Sequence, residues 1–457
     1  MIGTPRLRFS EHIWVDEADH LRVEETDAVE LTRRFGTPLF VVSEAQIRAN
    51  VARYQAAFRR GYPDTEIYFS TKANFNPAVR RVFTLAGAGG DAFGLGELTI
   101  NLMTGTPPAM IVLNGSNKAE PEIRLAVEHG VAVHVDHPEE LETVARIAGD
   151  LGRVARVAPR TRLMLHELDA MEADLPAGAQ VGPGARVGNK FGMHWEDTLA
   201  VCRRAVDDPR LRLVGLHHHV GRWNHDPAIF AAVVREQVVW AARLRDELDG
   251  WTAEYLDFGG GFATPRAEGL GPFGNDRDAP PIETYADVLT GVLRDELDRH
   301  GLPHPRLIVE PGRAIASDIA VLLGSVGIVK RFLDERTWVS LDVSQNLVVN
   351  TLTMAYHYHA VVADRVTASP APPVDLVGPL CSFDFLGQDR SLPPVARGDV
   401  VALLDTGAYC ESKSLQFNAL PRPATVLVSG STVDVITERE TIADVIGRMR
   451  VPDRLNV

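Results

Sequence analysis

Apolar runs of strand length alternate with amphipathic, helix-length stretches through the first two-thirds of the chain. Eight such runs occur, with few polar interruptions, which is typical of strands buried on both faces of a parallel sheet. Because a closed barrel of parallel strands requires eight, the pattern predicts an α/β fold with a (β/α)8 TIM-like barrel rather than an open, doubly wound sheet. The runs begin at Ile67, Gly90, Met110, Val131, Arg162, Leu211, Glu254 and Arg306.

Two long segments, at 167–189 and 267–282, interrupt this alternation. Both are rich in Gly, Pro and Asp and show neither a helical nor a strand period. Each follows a predicted strand, and the loops after the strands form the active-site face of such barrels. We therefore predict that both are loops at the rim of a site, although segments without any role would have the same composition.

After residue 315 the pattern changes to short β-type runs joined by turn residues, which predicts an antiparallel β domain. A strand-like lead near Leu21 precedes the barrel and is predicted to join that domain. The expected organisation is an N-terminal segment (1–35), a barrel (36–315) and a C-terminal β domain (316–457). The β-type runs lie at 321–329, 337–343, 359–366, 374–377, 399–405, 425–428 and 433–436.

Composition narrows the possible partners and the compartment. The 457 residues include 47 Lys and Arg against 61 Asp and Glu, a formal net charge of −14. Such a charge argues against nucleic acid and anionic membranes as general partners. The N-terminus lacks the apolar run of a signal peptide, and Cys202, Cys381 and Cys410 are too widely spaced to suggest a disulfide framework. We therefore expect a cytoplasmic protein that binds neither nucleic acid nor membrane.

Lys72 follows directly on the first predicted barrel strand. Burying an ammonium group is costly, because it must lose either its hydration or its charge. A lysine that is neutralised by burial can attack a carbonyl group and form a Schiff base. Taken alone, the position favours a lysine whose stem packs while its head reaches solvent, and only the later segments of the chain favour the Schiff base.

Two later segments could bind a phosphate. Gly259-Gly260-Gly261 follows the seventh run, and Glu310-Pro311-Gly312-Arg313 follows the eighth. In barrels the loops after these two strands frequently bind phosphate, and Glu310 could also pair with a protonated ring nitrogen. A tight turn and a Glu–Arg surface pair are the structural alternatives.

Three adjacent histidines end the sixth run. Strand alternation predicts that His217 and His219 share one face while His218 faces the other way. An imidazole there could stack on a ring or transfer protons. A metal site would need distant ligands such as His166, His357 or His359, together with carboxylates, and the spacing does not provide for this. We predict no metal.

Seven short motifs occur in the order found in fold-type III pyridoxal-phosphate-dependent decarboxylases, and the chain resembles the diaminopimelate and ornithine decarboxylase group of that family. The likeness extends from Gly36 to Val428. The motifs are YFSTKAN (68–74), GLGEL (94–98), HHHVG (217–221), GGGF (259–262), EPGR (310–313), GPLC (378–381) and GAY (407–409).

The resemblance implies pyridoxal 5′-phosphate as the cofactor and an alanine racemase-like architecture of barrel plus β domain. Lys72 would form the Schiff base, His219 would stack on the cofactor ring, and Glu310 would bind the pyridine nitrogen. The remaining cofactor-binding residues would be Gly259, Gly260, Gly261, Gly312, Arg313 and Tyr409.

The resemblance also implies a homodimer with shared active sites. Cys381 and Tyr409 would enter the site from a second subunit. Cys381 would be the catalytic proton donor to the carbanion that remains after carbon dioxide leaves.

Four departures from the family pattern concern the substrate. Arg222 stands where a serine is usual, and the loop after Cys381 is one residue short and lacks its acidic second position. No arginine occurs at 349–351, and the arginine usual in the fifth strand is displaced toward 163–165. We therefore expect a substrate other than diaminopimelate, contacted by residues at the altered positions, namely Arg222, Asn350, Ser382 and Asp384.

The leading prediction is decarboxylation of the α-carboxylate of an amino acid or amino-acid conjugate, which we expect to belong to specialised metabolism. Racemisation or α-proton exchange on the same cofactor is the nearest alternative, because alanine racemases share the architecture. A non-catalytic cofactor-binding protein is a further alternative, but such proteins are single barrels. A structural barrel without cofactor would leave Lys72, Glu310 and Arg313 together without a purpose.

Overall fold

The computed structural model describes residues 6–163, 190–221, 224–264, 279–332, 336–354 and 356–455. The predicted loops at 167–189 and 267–282 lie almost entirely outside these ranges. The chain divides into two compact units near residues 50 and 315. The barrel unit holds the described residues of 50–264 and 279–315, and the β unit holds those of 6–49 and 316–455. The helix Glu44–Gly61 crosses the division at residue 50.

The barrel unit is built on parallel strands that are neighbours in chain order. The first strand pairs with both the second and the last, so the sheet curves round on itself. A bridge between Arg160 and His217 joins its two remaining ends. The strands are Thr65–Ser70, Gly89–Phe93, Ile111–Asn114, Ala132–Val135, Ala155–Pro159, Leu211–Leu213, Gly215–His217, Tyr255–Asp257 and Arg306–Val309.

The sixth predicted run forms two of these nine strands, which explains why nine strands occupy eight barrel positions. Leu211–Leu213 pairs with the fifth strand, whereas Gly215–His217 pairs with Tyr255–Asp257. Between them the Val214 N–H donates to Val157 O (2.9 Å), and Val214 O accepts from Glu254 N (2.9 Å). At Val214 the chain therefore changes its pairing partner from the fifth strand to Tyr255–Asp257. The predicted TIM-like barrel is confirmed.

The fifth strand was placed wrongly by the sequence pattern. It was expected to begin at Arg162, but the strand is Ala155–Pro159. Its sequence, Ala-Arg-Val-Ala-Pro, is short of large apolar residues, so the more apolar segment after Arg162 gave the stronger signal. As a result Arg160, rather than a position at 163–165, directly follows the fifth strand.

Helices separate the strands, and several begin as the sequence predicts. Asn76 and Asp226 accept N–H bonds from Ala78 and Ala228, and in each case a proline occupies the first helical position. The helices of the barrel unit are Pro77–Leu85, Leu95–Met103, Glu120–His129, Pro138–Leu151, Trp195–Asp207, Pro227–Glu247, Ile282–His300 and Arg313–Ala316, with short 3-10 turns at Thr71–Ala73 and Pro108–Met110.

The β unit holds two sheets. Leu7–Arg8, Ile13–Val15, Leu21–Val23 and Thr26–Asp27 form a four-stranded antiparallel sheet, and the helix Ala28–Phe35 follows it. The second sheet contains Leu39–Ser43, Ala320–Phe332, Arg336–Leu341, Ala360–Val362, Val374–Val377, Phe385–Arg390, Val400–Leu403, Ala424–Ser429 and Thr432–Thr437. Short helices lie at Asn350–Met354 and Ile442–Ile446, and 3-10 turns at Ser317–Ile319, Glu411–Lys413, Phe417–Ala419 and Asp453–Leu455.

Two features of the second sheet depart from the prediction. It is antiparallel except at two pairings, Arg336–Leu341 with Val374–Val377 and Leu39–Ser43 with Ala424–Ser429, which are parallel. The strand Phe385–Arg390 was not predicted, because its Gly-Gln-Asp-Arg sequence lacks a β-type run.

Glu24 links the N-terminal sheet to distant strands of the β unit. Its buried carboxylate accepts hydrogen bonds from Ser43 Oγ (2.6 Å), Ala45 N (2.9 Å) and Gly430 N (2.6 Å). Around it, Leu21 and Val23 pack in one core with residues such as Val426. Hydrogen bonds to a charged carboxylate are among the strong ones, and a donor that loses such an acceptor away from solvent is costly to leave unpaired.

We predict that Glu24→Ala destabilises the β unit. The change leaves the buried Ser43 hydroxyl and the two partly buried N–H groups without this acceptor, which should lower the free energy of unfolding by about 1–3 kcal/mol. Chemical denaturation of purified protein measures the loss. Glu25→Ala is the matched control, because Glu25 is exposed. Equal losses for both variants would show that the carboxylate of Glu24 contributes little.

Candidate active site

Lys72 lies at the carboxyl end of the first barrel strand, in the turn Thr71–Ala73. Its Nζ donates to Asp91 Oδ2 (2.6 Å) and to Ser70 Oγ (2.5 Å), and it stands 5.5 Å from the centre of the Phe93 ring. The side chain is 36% exposed. The amine is thus bound by a buried carboxylate, and part of the lysine side chain is exposed to solvent.

Asp91, on the second strand, is a site residue that the sequence analysis missed. It is buried and also accepts from Ser70 Oγ (2.5 Å) and Asn114 Nδ2 (2.8 Å). Burial by itself would raise the pKa of Asp91, but the charge of Lys72 and these hydrogen bonds hold the pKa well below its ordinary value. A single carboxylate within an otherwise apolar strand was the available signal.

Glu310 follows the last strand and is buried beside His217. Its Oε1 accepts from Asn114 Nδ2 (2.8 Å), and its Oε2 lies 3.4 Å from His217 Nε2. Burial and the charge of Asp91 raise the pKa of Glu310, while nearby histidines and Lys72 oppose that rise. Asn114 therefore connects the carboxylate that holds Lys72 to the carboxylate of Glu310.

The three histidines have three different environments. The His217 ring stacks on His134 with centroids 4.4 Å apart and planes at 21°. His218 points elsewhere and contacts Thr161 O through Nδ1 (3.0 Å). His219 Nδ1 accepts from Gly260 N (3.1 Å), and burial together with the charges of Arg160 and Lys72 lowers the pKa of His219 to about 3. Burial also lowers the pKa of His217 well below its ordinary value. Both His217 and His219 are therefore neutral at physiological pH.

His134, on the fourth strand, is a second residue that the sequence analysis missed. Its Nδ1 lies 2.9 Å from Asn114 Oδ1, and its Nε2 lies 2.9 Å from Tyr255 Oη. Since an amide oxygen only accepts, the proton of His134 belongs on Nδ1, and the Tyr255 hydroxyl donates to Nε2. Nothing in the apolar pattern distinguished this histidine from an ordinary core residue.

The glycine loop packs too closely for any side chain. A Cβ added at Gly260 would lie 2.3 Å from Glu310 O, and one at Gly261 would lie 2.4 Å from Gly221 O. Gly259 and Gly261 also have φ values of +65° and +95°. The loop thus brings backbone beside Glu310. Two of its N–H groups donate within the protein, from Gly259 to Asp257 and from Gly260 to His219.

Arg160 and Arg313 supply positive charge at the carboxyl ends of strands. Arg160 is buried, with Nε 3.9 Å from Asp136 Oδ1 and its guanidinium 4.3 Å from the Phe191 ring centre. Arg313 begins the short helix Arg313–Ala316 and is partly buried, whereas Gly312 before it is buried. Arg160 was missed because the fifth strand was misplaced.

The other predicted site residues lie in the β unit. Cys381 and Ser382 are exposed, and Tyr409 is partly buried with φ +59°. Asp384 is buried and accepts from Gln345 N (2.7 Å) and Leu380 N (2.9 Å), so its carboxylate orders its own loop. Arg222 lies outside the described residues.

Asn350 is buried in the β unit beside Tyr409. Its Nδ2 donates to Tyr358 Oη (3.1 Å), and its Oδ1 accepts from Lys413 Nζ (3.2 Å). The Lys413 ammonium also stands 5.9 Å from the Tyr409 ring centre. The amide is therefore held by neighbours on both its donor and its acceptor side.

Four buried groups offer a possible metal set, namely His134, His217, Asp257 and Glu310, with one ligand atom each within 4.8 Å of the others. The two imidazoles are stacked, however, and a ring nitrogen binds a metal in the plane of its ring. Nearly parallel planes, whose rings lie 4.4 Å apart, do not converge on a common ion. This geometry disfavours a metal site, and the absence of a metal stays a prediction.

Comparison with known proteins identifies the family. Residues 44–317 match the model of the pyridoxal-binding domain of pyridoxal-dependent decarboxylases. The chain belongs to this family. The diaminopimelate decarboxylase of Methanothermobacter thermautotrophicus is 34% identical over 97% of this chain and 98% of that protein. The enzyme of that name from Archaeoglobus fulgidus is 31% identical over 95% of this chain and 98% of that protein.

Comparison with solved structures gives the same family. The crystal structure of diaminopimelate decarboxylase from M. jannaschii superposes with a TM-score of 0.88 at 31% identity, covering 98% of this chain and 99% of that one. The same protein in complex with L-lysine gives 0.87 at 30% identity, over 98% and 100%. The predicted family, fold class, enzyme class and cofactor are confirmed: the protein is a pyridoxal-phosphate-dependent amino-acid decarboxylase. Among the helices that the structure describes, none is both long and apolar enough to cross a bilayer.

The residues of the barrel unit fit this cofactor. Lys72 offers an amine at a strand end, and Glu310 offers a buried carboxyl group to a ring nitrogen. The glycine loop brings backbone without side chains directly beside Glu310. Arg313 contributes a charged donor for a phosphate.

Glu97 provides a pH-dependent signature of this charged site. Burial and the charge of Asp91 raise the pKa of Glu97 from 4.5 to about 7, against the opposing effects of Lys72 and the Phe93 N–H. An acid with a raised pKa favours the folded state when it is protonated. Wild-type protein should therefore lose stability as the pH rises from about 4.5 through 7.

We predict that Glu97→Gln gains stability relative to wild type between pH 5 and pH 8, by an amount on the order of 2 kcal/mol. Glutamine keeps an acceptor for the Phe93 N–H but cannot ionise. Unfolding free energies at several pH values measure the difference. Glu128→Gln, at an exposed glutamate, is the control. Parallel pH profiles for wild type and Glu97→Gln would contradict the prediction.

Proposed function

We propose that this enzyme removes the α-carboxylate of an amino acid as carbon dioxide, with Lys72 holding the cofactor. The observation that carries the proposal is the position of the Lys72 amine. It lies at the carboxyl end of a barrel strand, bonded to Asp91, and Asn114 connects Asp91 to Glu310. A barrel positions reacting groups at this end of its strands.

When bound, pyridoxal phosphate supplies an electron sink that stabilises the negative charge left on Cα by the departing carbon dioxide. The protein's own groups orient and bind. Lys72 would bind the aldehyde carbon, and Asp91 with Ser70 would fix the position of its Nζ. Glu310 would accept a hydrogen bond from the ring nitrogen, and the neutral His219 would contact the ring face.

The phosphate would be held after the seventh and eighth strands. The support is the glycine loop Gly259-Gly260-Gly261, with backbone near Glu310, and the guanidinium of Arg313 in the following turn. Gly312 would keep that turn small. Tyr409 would contribute from the β unit of a second subunit, as its resemblance to family members implies.

The identity of the amino acid rests on two opposing observations. Relatives that are 31–34% identical over most of the chain are named diaminopimelate decarboxylase, which makes diaminopimelate the first candidate. The expectation of a different substrate has no support from these relatives. It rests on the missing arginine at 349–351, where Asn350 is bonded to Lys413, and on the shortened loop after Cys381.

We predict that the protein loaded with cofactor converts at least one amino acid of a panel in deuterated water, with loss of carbon dioxide and gain of one deuteron at Cα. The panel contains meso-diaminopimelate, lysine, ornithine and larger carboxylate-bearing conjugates, and mass spectrometry detects the products. Turnover of diaminopimelate would reject the expectation of a different substrate.

Two variants accompany this assay. Lys72→Ala should abolish both turnover and the visible absorbance of bound cofactor, whereas Lys330→Ala, at an exposed lysine of the β unit, should change neither. Deuterium exchange at Cα without loss of carbon dioxide would contradict decarboxylation and favour the racemase alternative.

We further propose a homodimer in which Cys381 and Tyr409 of one subunit complete the site of the other. The support is the family resemblance together with the exposure of Cys381 in the chain described here. The Cys381 thiol would deliver the proton to Cα. Its exposure leaves the Sγ accessible to groups outside its own unit.

We predict that two inactive variants, Lys72→Ala and Cys381→Ala, restore activity when they are unfolded and refolded together. Random pairing makes half of the dimers mixed, and each mixed dimer has one intact site of two, so about a quarter of wild-type activity should return. Mixing without refolding, and Cys202→Ala in place of Cys381→Ala, are the controls. No recovery in a protein that forms dimers would contradict shared sites.

A further inference from the structure

Two carboxyl groups meet in the interior of the barrel. Asp257 ends the strand Tyr255–Asp257, and Glu310 follows the adjacent strand Arg306–Val309. Both are buried, at 0% and 4% exposure, and their oxygens lie within 4.8 Å. Two ionised carboxylates at this distance in a buried site repel each other strongly, so one of the pair is expected to hold a proton.

The two carboxyl groups have different surroundings. Glu310 Oε1 accepts from Asn114 Nδ2 (2.8 Å), and its Oε2 lies 3.4 Å from His217 Nε2 without a hydrogen bond between them. Asp257 Oδ1 accepts from Gly259 N (2.8 Å). Its Oδ2 is buried and has no hydrogen-bond donor among the residues that the structure describes. An oxygen in that position is satisfied if it carries a proton itself.

The charges around the pair also distinguish the two carboxyl groups. Burial, followed by the charge of Glu310, raises the pKa of Asp257 well above its ordinary value. The pKa of Glu310 is raised as well, but positive and histidine neighbours oppose that rise. The other titratable groups that face the pair come from several strands and are Tyr68, Lys72, Asp91, His134, Arg160, His217, His219 and Tyr255.

We propose that Asp257 is a neutral carboxylic acid at physiological pH, and that its Oδ2–H donates to the carboxylate of Glu310. Asp257 is then a positioning residue. It fixes the orientation of Glu310 and leaves the negative charge on the carboxylate that would face the ring nitrogen. The consequence for the ring nitrogen rests on the proposed function, whereas the location of the proton does not.

Isotope-edited infrared spectroscopy of the holoenzyme locates the proton. A protonated carboxyl group absorbs at a higher frequency than a carboxylate. At pH 8 we expect one protonated-carboxyl band that shifts when aspartate, but not glutamate, is labelled with 13C at its side-chain carboxyl carbon. The band should disappear in Asp257→Asn. It should persist in Asp384→Asn, a control at another buried aspartate whose pKa is raised by burial.

Three results would overturn the proposal. These are a band that shifts with labelled glutamate and vanishes in Asp257→Asn, a band that survives Asp257→Asn, and the absence of any protonated-carboxyl band from wild type. Spectra of the labelled wild-type protein alone show whether a protonated-carboxyl band is present. The proposal therefore stays testable even if a variant folds poorly. If the protein fails to bind pyridoxal phosphate, the proposed function fails, while the band still reports the proton.

Cofactor binding provides a second measurement that a purely structural role would not reproduce. Asparagine keeps both interactions of a protonated Asp257, because Nδ2 can donate to Glu310 and Oδ1 can accept from Gly259 N. We expect Asp257→Asn to bind pyridoxal phosphate with nearly unchanged affinity and absorbance, and Asp257→Ala to bind it roughly tenfold more weakly. Equal losses in both variants would show that Asp257 acts as a carboxylate and would overturn the proposal.

Discussion

Burial of several ionisable groups at the carboxyl ends of adjacent parallel strands is the constraint on which the site depends. Barrel closure brings these strands together, so the buried carboxyl groups of Asp91, Asp257 and Glu310 cannot move apart to reach water. Each charge that loses its hydration must find an opposite charge, a hydrogen bond or a proton. The side chains around them are consistent with this requirement.

The barrel meets that requirement in three ways. The Lys72 ammonium and the Asp91 carboxylate form an ion pair at 2.6 Å. The stacked imidazoles of His134 and His217 are neutral, because burial lowers the pKa of both. The remaining carboxyl groups lie close enough for one proton to serve both.

Much of this arrangement could be predicted from the sequence, because strand ends in a parallel barrel are marked by short motifs. Lys72, the histidines at 217–219, the glycine loop and Glu310 each follow a recognisable apolar run. Residues inside the strands, such as Asp91 and His134, could not be assigned, since one polar position in a short strand has several explanations. Arg160 was lost with the fifth strand, where alanines replaced the larger apolar residues that mark a buried strand. The pairing directions in the β unit depend on contacts between distant segments, which no local pattern encodes.

The side-chain amide of Asn114 contacts three residues that lie outside its own strand. Its amide nitrogen offers two hydrogens, and these go to Asp91 and Glu310, while its oxygen faces the Nδ1 of His134. A carboxylate at this position would lack the donors, a hydroxyl would have too few, and an apolar side chain would have none. The Asn114 amide thus joins the carboxyl groups of Asp91 and Glu310 to the neutral imidazole of His134. From Tyr255 through His134 to Asn114, each hydrogen bond is therefore donated toward Asp91, which also accepts from Lys72 on its other side.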